Sequence, residues 1–263
     1  MTNADIKLRP AVNIPTDDSS TAGGDMDTGA EITGAGAGEW MPQLVAPQSG
    51  TLDTDAVTQT QLAYISNEHA SDDWLLGGLY MANLLTIPGV AGVLKAQSTS
   101  ASDDTDCKIV CYSKRSGVLG SPVDLRLNGT TLVSDALSHS LVYRLVLRDY
   151  NTGAIVTAVG DISIWVGSTL IGMIPNGMSY ATSEYEFAPS ASLGDLGTFA
   201  DRLTPPGGLS WSRPNTAGTK VLAPSTLAAS DFWGVYCRET LQPGMPSAGT
   251  MRRRLRPHGV DAA

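Results

Sequence analysis

Between Pro122 and Gly177, short runs of alternating apolar and polar residues are separated by two- or three-residue turn signals, a period that fits antiparallel strands and not helices. Val123, Leu125 and Leu127 form one run, and Asn128-Gly129, which tolerates positive φ, predicts a type I′ hairpin from it to Thr131 and Val133. Gly167-Ser168 predicts a type II′ turn between Ile162, Ile164, Val166 and Leu170, Ile171, Met173. A three-residue Asn151-Thr152-Gly153 loop is expected to join residues 141–148 to 154–159, and Pro175-Asn176-Gly177 closes the set as a β-meander. Within 141–148, Leu141, Tyr143, Leu145 and Leu147 share a core-facing side. Val142, Arg144, Val146 and Arg148 share the other, which suits either a face partly covered by another sheet or subunit, or an ordinary solvent face.

Elsewhere the pattern is less regular. Residues 108–112 and 232–239 read as strands, the second ending in Leu241-Gln242-Pro243-Gly244. Residues 54–65 predict a helix capped by Asp53 or Thr54. The apolar stretch 74–94 contains Asn83, Pro88 and four glycines, so buried core segments near 80–85 and 90–94 are expected in place of a membrane span. After Gly177 the chain is rich in loops, with Pro189, Pro205-Pro206-Gly207-Gly208 and Pro214 interrupting regular structure.

The fold class that follows is all-β: an antiparallel β-sandwich or meander body with an extended N-terminal arm and long loops. Twenty-eight glycines and 15 prolines in 263 residues fit a turn-rich chain of this kind. Four parts are expected: an acidic Gly/Ala/Thr-rich arm over 1–39, a mixed segment over 40–106 packing on the body, the body over 107–250, and a basic tail over 251–263. Ordering some forty backbone residues costs roughly 40–80 kcal/mol at about 1–2 kcal/mol each. The arm has few bulky apolar residues to offset that, so it is expected to become ordered against neighbouring subunits, with Ile6, Leu8, Val12, Ile14 and Trp40 as anchors.

Charge sharpens this picture. The formal net charge is -9, but 15 acidic and 3 basic residues precede Cys107, whereas 11 acidic and 14 basic residues lie from there on. An acidic N-terminal part is the opposite of a phosphate-neutralising arm, so nucleic acid is not an expected partner. Arg252, Arg253, Arg254 and Arg256 form a basic cluster suited to pairing with an acidic subunit surface. Three cysteines, Cys107, Cys111 and Cys237, are too few and odd in number for a disulfide framework, which fits a reducing assembly compartment. No charged segment followed by an apolar core opens the chain, so a secretory leader is not expected.

Chemistry-bearing patterns are sparse, and no enzyme activity, cofactor or metal is expected. His69, His139 and His258 are the only histidines; His139 lies between Ser138 and Ser140 with Asp135 nearby, and a turn histidine is the expected role. Asp103, Asp104 and Asp106 lack the spacing of a calcium loop. Gly34-Ala35-Gly36-Ala37-Gly38 has neither the preceding strand nor the following helix of a dinucleotide loop. Glu184 and Glu186, at i and i+2, would share one strand face as a carboxylate pair. Tyr180, Tyr185, Phe187, Trp211, Trp233 and Tyr236 would line either a core or a sugar-binding surface.

The segments PVDLRLNGTTLV (122–133), LVYRLVLRDYNTGAIVTAVGDISIWVGSTLIGMIPNG (141–177) and DFWGVYCRETLQPG (231–244) resemble β-rich modules of structural proteins in tailed bacteriophage particles. The resemblance implies a non-enzymatic virion building block of the head-decoration or tail and neck type, assembled in the bacterial cytoplasm. It would be a homo-oligomer of closed symmetry, such as a trimer, with major capsid, portal, neck or tail subunits as partners and no membrane. The alternative is a carbohydrate-binding host-recognition module of a phage fibre or tail.

Overall fold

The computed structural model describes residues 5–13, 21–32, 57–201, 203–241 and 255–262. Within them the chain is all-β, with eighteen strands and one short 3-10 turn, Ala217–Thr219. The strand β1 (Ile6–Asn13) is followed by β2 (Ala22–Met26), β3 (Val57–Asn67) and β4 (Asp73–Met81). Next come β5 (Gly92–Ser98), β6 (Cys107–Arg115), β7 (Val118–Leu119), β8 (Val123–Arg126), β9 (Val133–His139), β10 (Leu141–Asp149), β11 (Ile162–Val166), β12 (Thr169–Ile174) and β13 (Tyr180–Thr182). The last are β14 (Tyr185–Leu193), β15 (Thr198–Phe199), β16 (Val221–Leu222), β17 (Phe232–Leu241) and β18 (Leu255–Ala262).

Two units result, divided differently from the sequence expectation. Met1–Met81 and Tyr185–Ala263 make the first, and Ala82–Glu184, inserted between them in the chain, makes the second. The first unit holds a six-stranded sheet in the order β14-β17-β3-β1-β2-β15 and a three-stranded sheet β16-β4-β18. Its core gathers Ala11, Leu62, Tyr64, Ala188, Phe199 and Tyr236, with Tyr64 meeting Phe232 edge-on at 5.6 Å. The Tyr64 hydroxyl donates to the Gly24 carbonyl and accepts from the Leu196 amide; burial pushes it up to about 12.

Within the expected arm over 1–39, the described strands β1 and β2 pair inside the chain and not with a neighbouring subunit. Ile6 and Leu8 are each only 7% exposed, and β1 lies inside the six-stranded sheet between β3 and β2. The sparse apolar residues suffice because β1 lies in a ladder with β3, which β17 also pairs. Its backbone donors and acceptors are met by pairing, without a large side-chain core of its own. Deleting this segment would strip β3 of a partner. Residues 57–67 likewise form a strand, not a helix. Val57, Thr58, Thr60, Tyr64 and Ile65 suit a pleated ladder, and β3 is paired on both sides.

The second unit is sandwich-like, with a five-stranded sheet in the order β13-β10-β6-β7, β8 also pairing with β6, and a four-stranded sheet β12-β11-β5-β9. The Gly167-Ser168 hairpin is present as expected, joining β11 to β12 with Gly167 at φ 62°. Asn128-Gly129 does not join a hairpin: β8 pairs with β6 and β9 pairs with β5, so this turn carries the chain from one sheet to the other. Gly129 is at φ 56°, and its N–H and C=O are taken by Asp103 O and Ser98 N. The meander is therefore distributed over two sheets. Residues 154–159 make one bridge, Arg148 to Ile155, and no strand. Leu84, Leu85 and Leu94 are buried as expected, whereas Val90 is exposed. Among the described residues, no helix is long and apolar enough to cross a membrane.

Candidate functional site

The best-defined polar constellation lies in the second unit and begins with a polar residue in an apolar row. On β6, Ile109, Cys111 and Ser113 share a face, and all three are buried. Ser113 Oγ lies 2.7 Å from His139 Nδ1, and His139 Nε2 lies 2.5 Å from Asp135 Oδ2. A neutral ring that donates from Nε2 to the carboxylate accepts at Nδ1 from the Ser113 hydroxyl. Asp135 stands at a bulge of β9, where the register jumps from Ser138 opposite Val93 to Ser134 opposite Lys95. Its Oδ1 accepts the Leu94 amide at 3.0 Å and the Leu137 amide at 3.3 Å, replacing the carbonyl that a regular ladder would offer.

The array has the residue types of a nucleophile, base and orienting acid, but the ring is turned relative to a hydrolase triad, with the serine on Nδ1 and the acid on Nε2. With Ser113 1% and His139 0% exposed, a substrate carbonyl has no approach to Oγ. What the geometry does is pin β6 of one sheet to β9 of the other. Burial pushes the neighbouring Cys111 thiol up to about 12, with the Ser113 hydroxyl opposing and Asp135 adding to the rise. That thiol is therefore a packed side chain and not a thiolate.

A second buried site sits on the valine and arginine face of β10, which is covered. Arg144 Nε and Nη2 donate to Glu184 Oε2 at 3.0 and 2.7 Å, and Thr182 Oγ1 donates to the same oxygen at 3.0 Å. Both side chains are buried. A third carboxylate, Asp103, closes a loop: Oδ2 accepts from Ser98 Oγ and Gly160 N, and Oδ1 from Val159 N. Both Asp103 oxygens are engaged by the chain itself, and Asp104 caps the Asp106 amide. No group of three His, Cys, Asp or Glu side chains is arranged to hold a metal among the described residues.

In the first unit, Glu186 is gripped by two arginines. Arg238 donates to Oε2 at 2.7 Å, Arg213 approaches Oε1 at 3.1 Å, and the Arg238 guanidinium lies 4.2 Å from the centre of the Trp211 ring. Glu184 and Glu186 therefore do not form a carboxylate pair, because each is committed to its own arginine partners. Of the six aromatics proposed for a sugar surface, Tyr180, Tyr185, Phe187, Trp233 and Tyr236 are buried, and only Trp211 is partly exposed. His69 accepts the Asp72 amide in a turn, and Lys220 Nζ donates to His258 Nδ1 at 3.1 Å.

Of the anchors expected to grip neighbours, Ile6 and Leu8 are buried within the chain's own sheet, whereas Val12 and Arg256 are exposed. Ile14, Trp40, Arg252, Arg253 and Arg254 lie outside the described residues. Ser113 was the residue missed, since it lies 26 positions from His139. Its one signal was a hydroxyl in the row Ile109, Cys111, Ser113. No family model, curated protein or solved structure matches the chain.

Trp74 marks a further structural constraint. A Cβ at Gly77 would stand 2.3 Å from the Trp74 ring, closer than packed atoms approach. Gly77→Ala is expected to displace the indole or shift β4, at about 1–3 kcal/mol for an overpacked site. A changed tryptophan emission together with a lowered melting temperature would show it. An unaltered spectrum and melt would mean that the ring is not held there.

Proposed function

We propose that this chain is a non-enzymatic structural subunit of a tailed-bacteriophage particle, joined to its neighbours through sheet edges and exposed apolar side chains. The observation that carries the reading is where large aliphatic side chains face water. Val118 on β7 is 69% exposed, Leu170 on β12 53% and Leu137 on β9 38%, each on an edge strand of the second unit. None of these three strands contains lysine, arginine or proline; β7 is short, Asp135 and a bulge mark β9, and a bulge and the Thr86 N–H to Ile171 O bond cover part of β12, which leaves the exposed aliphatic side chains as the open feature. Edges of this kind suit strand addition or apolar contact with another subunit. The buried Ser113-His139-Asp135 array supports the same reading, since it is used to join two sheets.

The partners in this reading are further copies of the chain and other virion proteins, in a particle assembled in the bacterial cytoplasm. Immunogold labelling of purified particles is expected to place the chain at fixed, symmetric positions, and mass spectrometry is expected to find it in stoichiometric amounts. Particles that carry none of the chain, with all of it in the soluble lysate, would overturn the proposal.

A further inference from the structure

The C-terminal strand is the element whose composition least predicts a strand. Residues 255–262 read LRPHGVDA, and proline and glycine are both disfavoured in a ladder. It is a strand because β4 supplies one. Among the described residues, β16 pairs with β4 at Leu79 and Gly78 on one edge, whereas on the other β18 pairs from Met81 opposite Leu255 to Asp73 opposite Ala262. Pairing by β18 thus satisfies an edge that would otherwise stand open along almost the whole of β4.

The fit between the two strands is specific. A Cβ at Gly259 would stand 2.1 Å from Trp74 Nε1, so only glycine lets β18 cross the buried indole. Arg256 and His258 are exposed, and the nearby polar contact is His258 with Lys220. Among the described residues, every strand pairing of β18 is to β4. Its bonds would therefore be the same whether β4 belongs to its own chain or to another copy.

Thirteen residues, 242–254, separate β17 from β18, and they include Pro243, Gly244, Pro246 and Gly249. Fully extended, such a tether spans at most about 43–47 Å. That upper bound is many times the spacing of about 5 Å between neighbouring strands, so chain length alone does not tie β18 to its home β4. Because contacts in the two arrangements are equivalent, the effective concentration of β4 edges decides between them, and close packing of copies raises the share in trans. The arginines ahead of the strand add attraction toward a chain whose net charge is -9.

We infer that β18 is an exchangeable strand, which leaves its own chain and completes the β16-β4 sheet of a second copy when subunits assemble. The inference rests on the assembly reading above and names the element and partner that carry it. The test uses the full chain in a Cys107→Ser background, with Tyr80→Cys in one preparation and Arg256→Cys in another. These two positions face each other directly across the ladder, within the range a disulfide bridges. The preparations are mixed, brought to assembly concentration, oxidised and run on a non-reducing gel, with light scattering in parallel and the double variant as a control.

Covalent dimers at least ten-fold above those of either variant alone are the expected result. If the double variant closes within one chain while the mixture stays monomeric on the gel, strand exchange is overturned. Oligomers seen by light scattering in that case would leave assembly standing on other contacts, whereas monomers at every concentration would remove the assembly reading as well. A double variant that forms no disulfide, either within one chain or between chains, would overturn the β4–β18 pairing itself.

Discussion

Glu184→Gln is expected to destabilise the second unit by about 3–5 kcal/mol, because it leaves the Arg144 guanidinium buried opposite a neutral amide. The two nitrogens of Arg144 and the Thr182 hydroxyl all converge on Glu184 Oε2. Removing the carboxylate charge therefore weakens three bonds at once. Urea unfolding followed by hydrogen exchange of β6 and β10 amides measures the effect in the unit concerned. The paired replacement Arg144→Met with Glu184→Leu should recover most of the loss, since a buried ion pair is often matched by apolar residues of similar volume. A loss under about 1 kcal/mol for the single variant would put the pair in the range of exposed surface bridges and sink the argument.

The second large effect is expected at His139. Truncation to alanine removes a fully buried ring and takes a partner from both the Ser113 hydroxyl and the Asp135 carboxylate. About 3 kcal/mol should be lost, combining a cavity with two weakened hydrogen bonds. Ser113→Ala alone should cost about 1 kcal/mol. The informative measurement is the double-mutant cycle. Residues in one hydrogen-bonded array show a coupling of about 0.5–3 kcal/mol, so a sum of the single effects within about 0.3 kcal/mol would mean that the ring does not link the two sheets.

Both sites were only half legible in the sequence, and for the same reason. Arg144 between Val142 and Val146, and Ser113 beyond Ile109 and Cys111, stand out as polar residues in apolar rows. A strand face tells which side chains are buried together, but not what meets them. Glu184 was read with Glu186 because they are near in sequence, yet the chain passes from one unit to the other between Glu184 and Tyr185. His139 was read as a turn histidine beside Ser138, Ser140 and Asp135; it is the buried last residue of β9, and of those three Asp135 is the one that bonds its ring. The second partner of the ring is a hydroxyl on another sheet, which no neighbour in the chain announces. The expected arm shows the converse error: composition alone made residues 6–13 look unable to order, because a strand received into an existing ladder needs few apolar side chains.

By itself the sequence determined the all-β class, the hairpin at Gly167-Ser168, and the alternation that buries one or both faces of β6, β10 and β17. These are properties of a few consecutive residues: a positive φ at glycine and a side-chain period of two operate without distant partners. Tertiary structure alone decided that Asn128-Gly129 passes between sheets, that β1 is an interior strand, and that β18 lies on β4. Strand pairing depends on which edges remain open once the rest of the chain has folded. No local pattern carries that information.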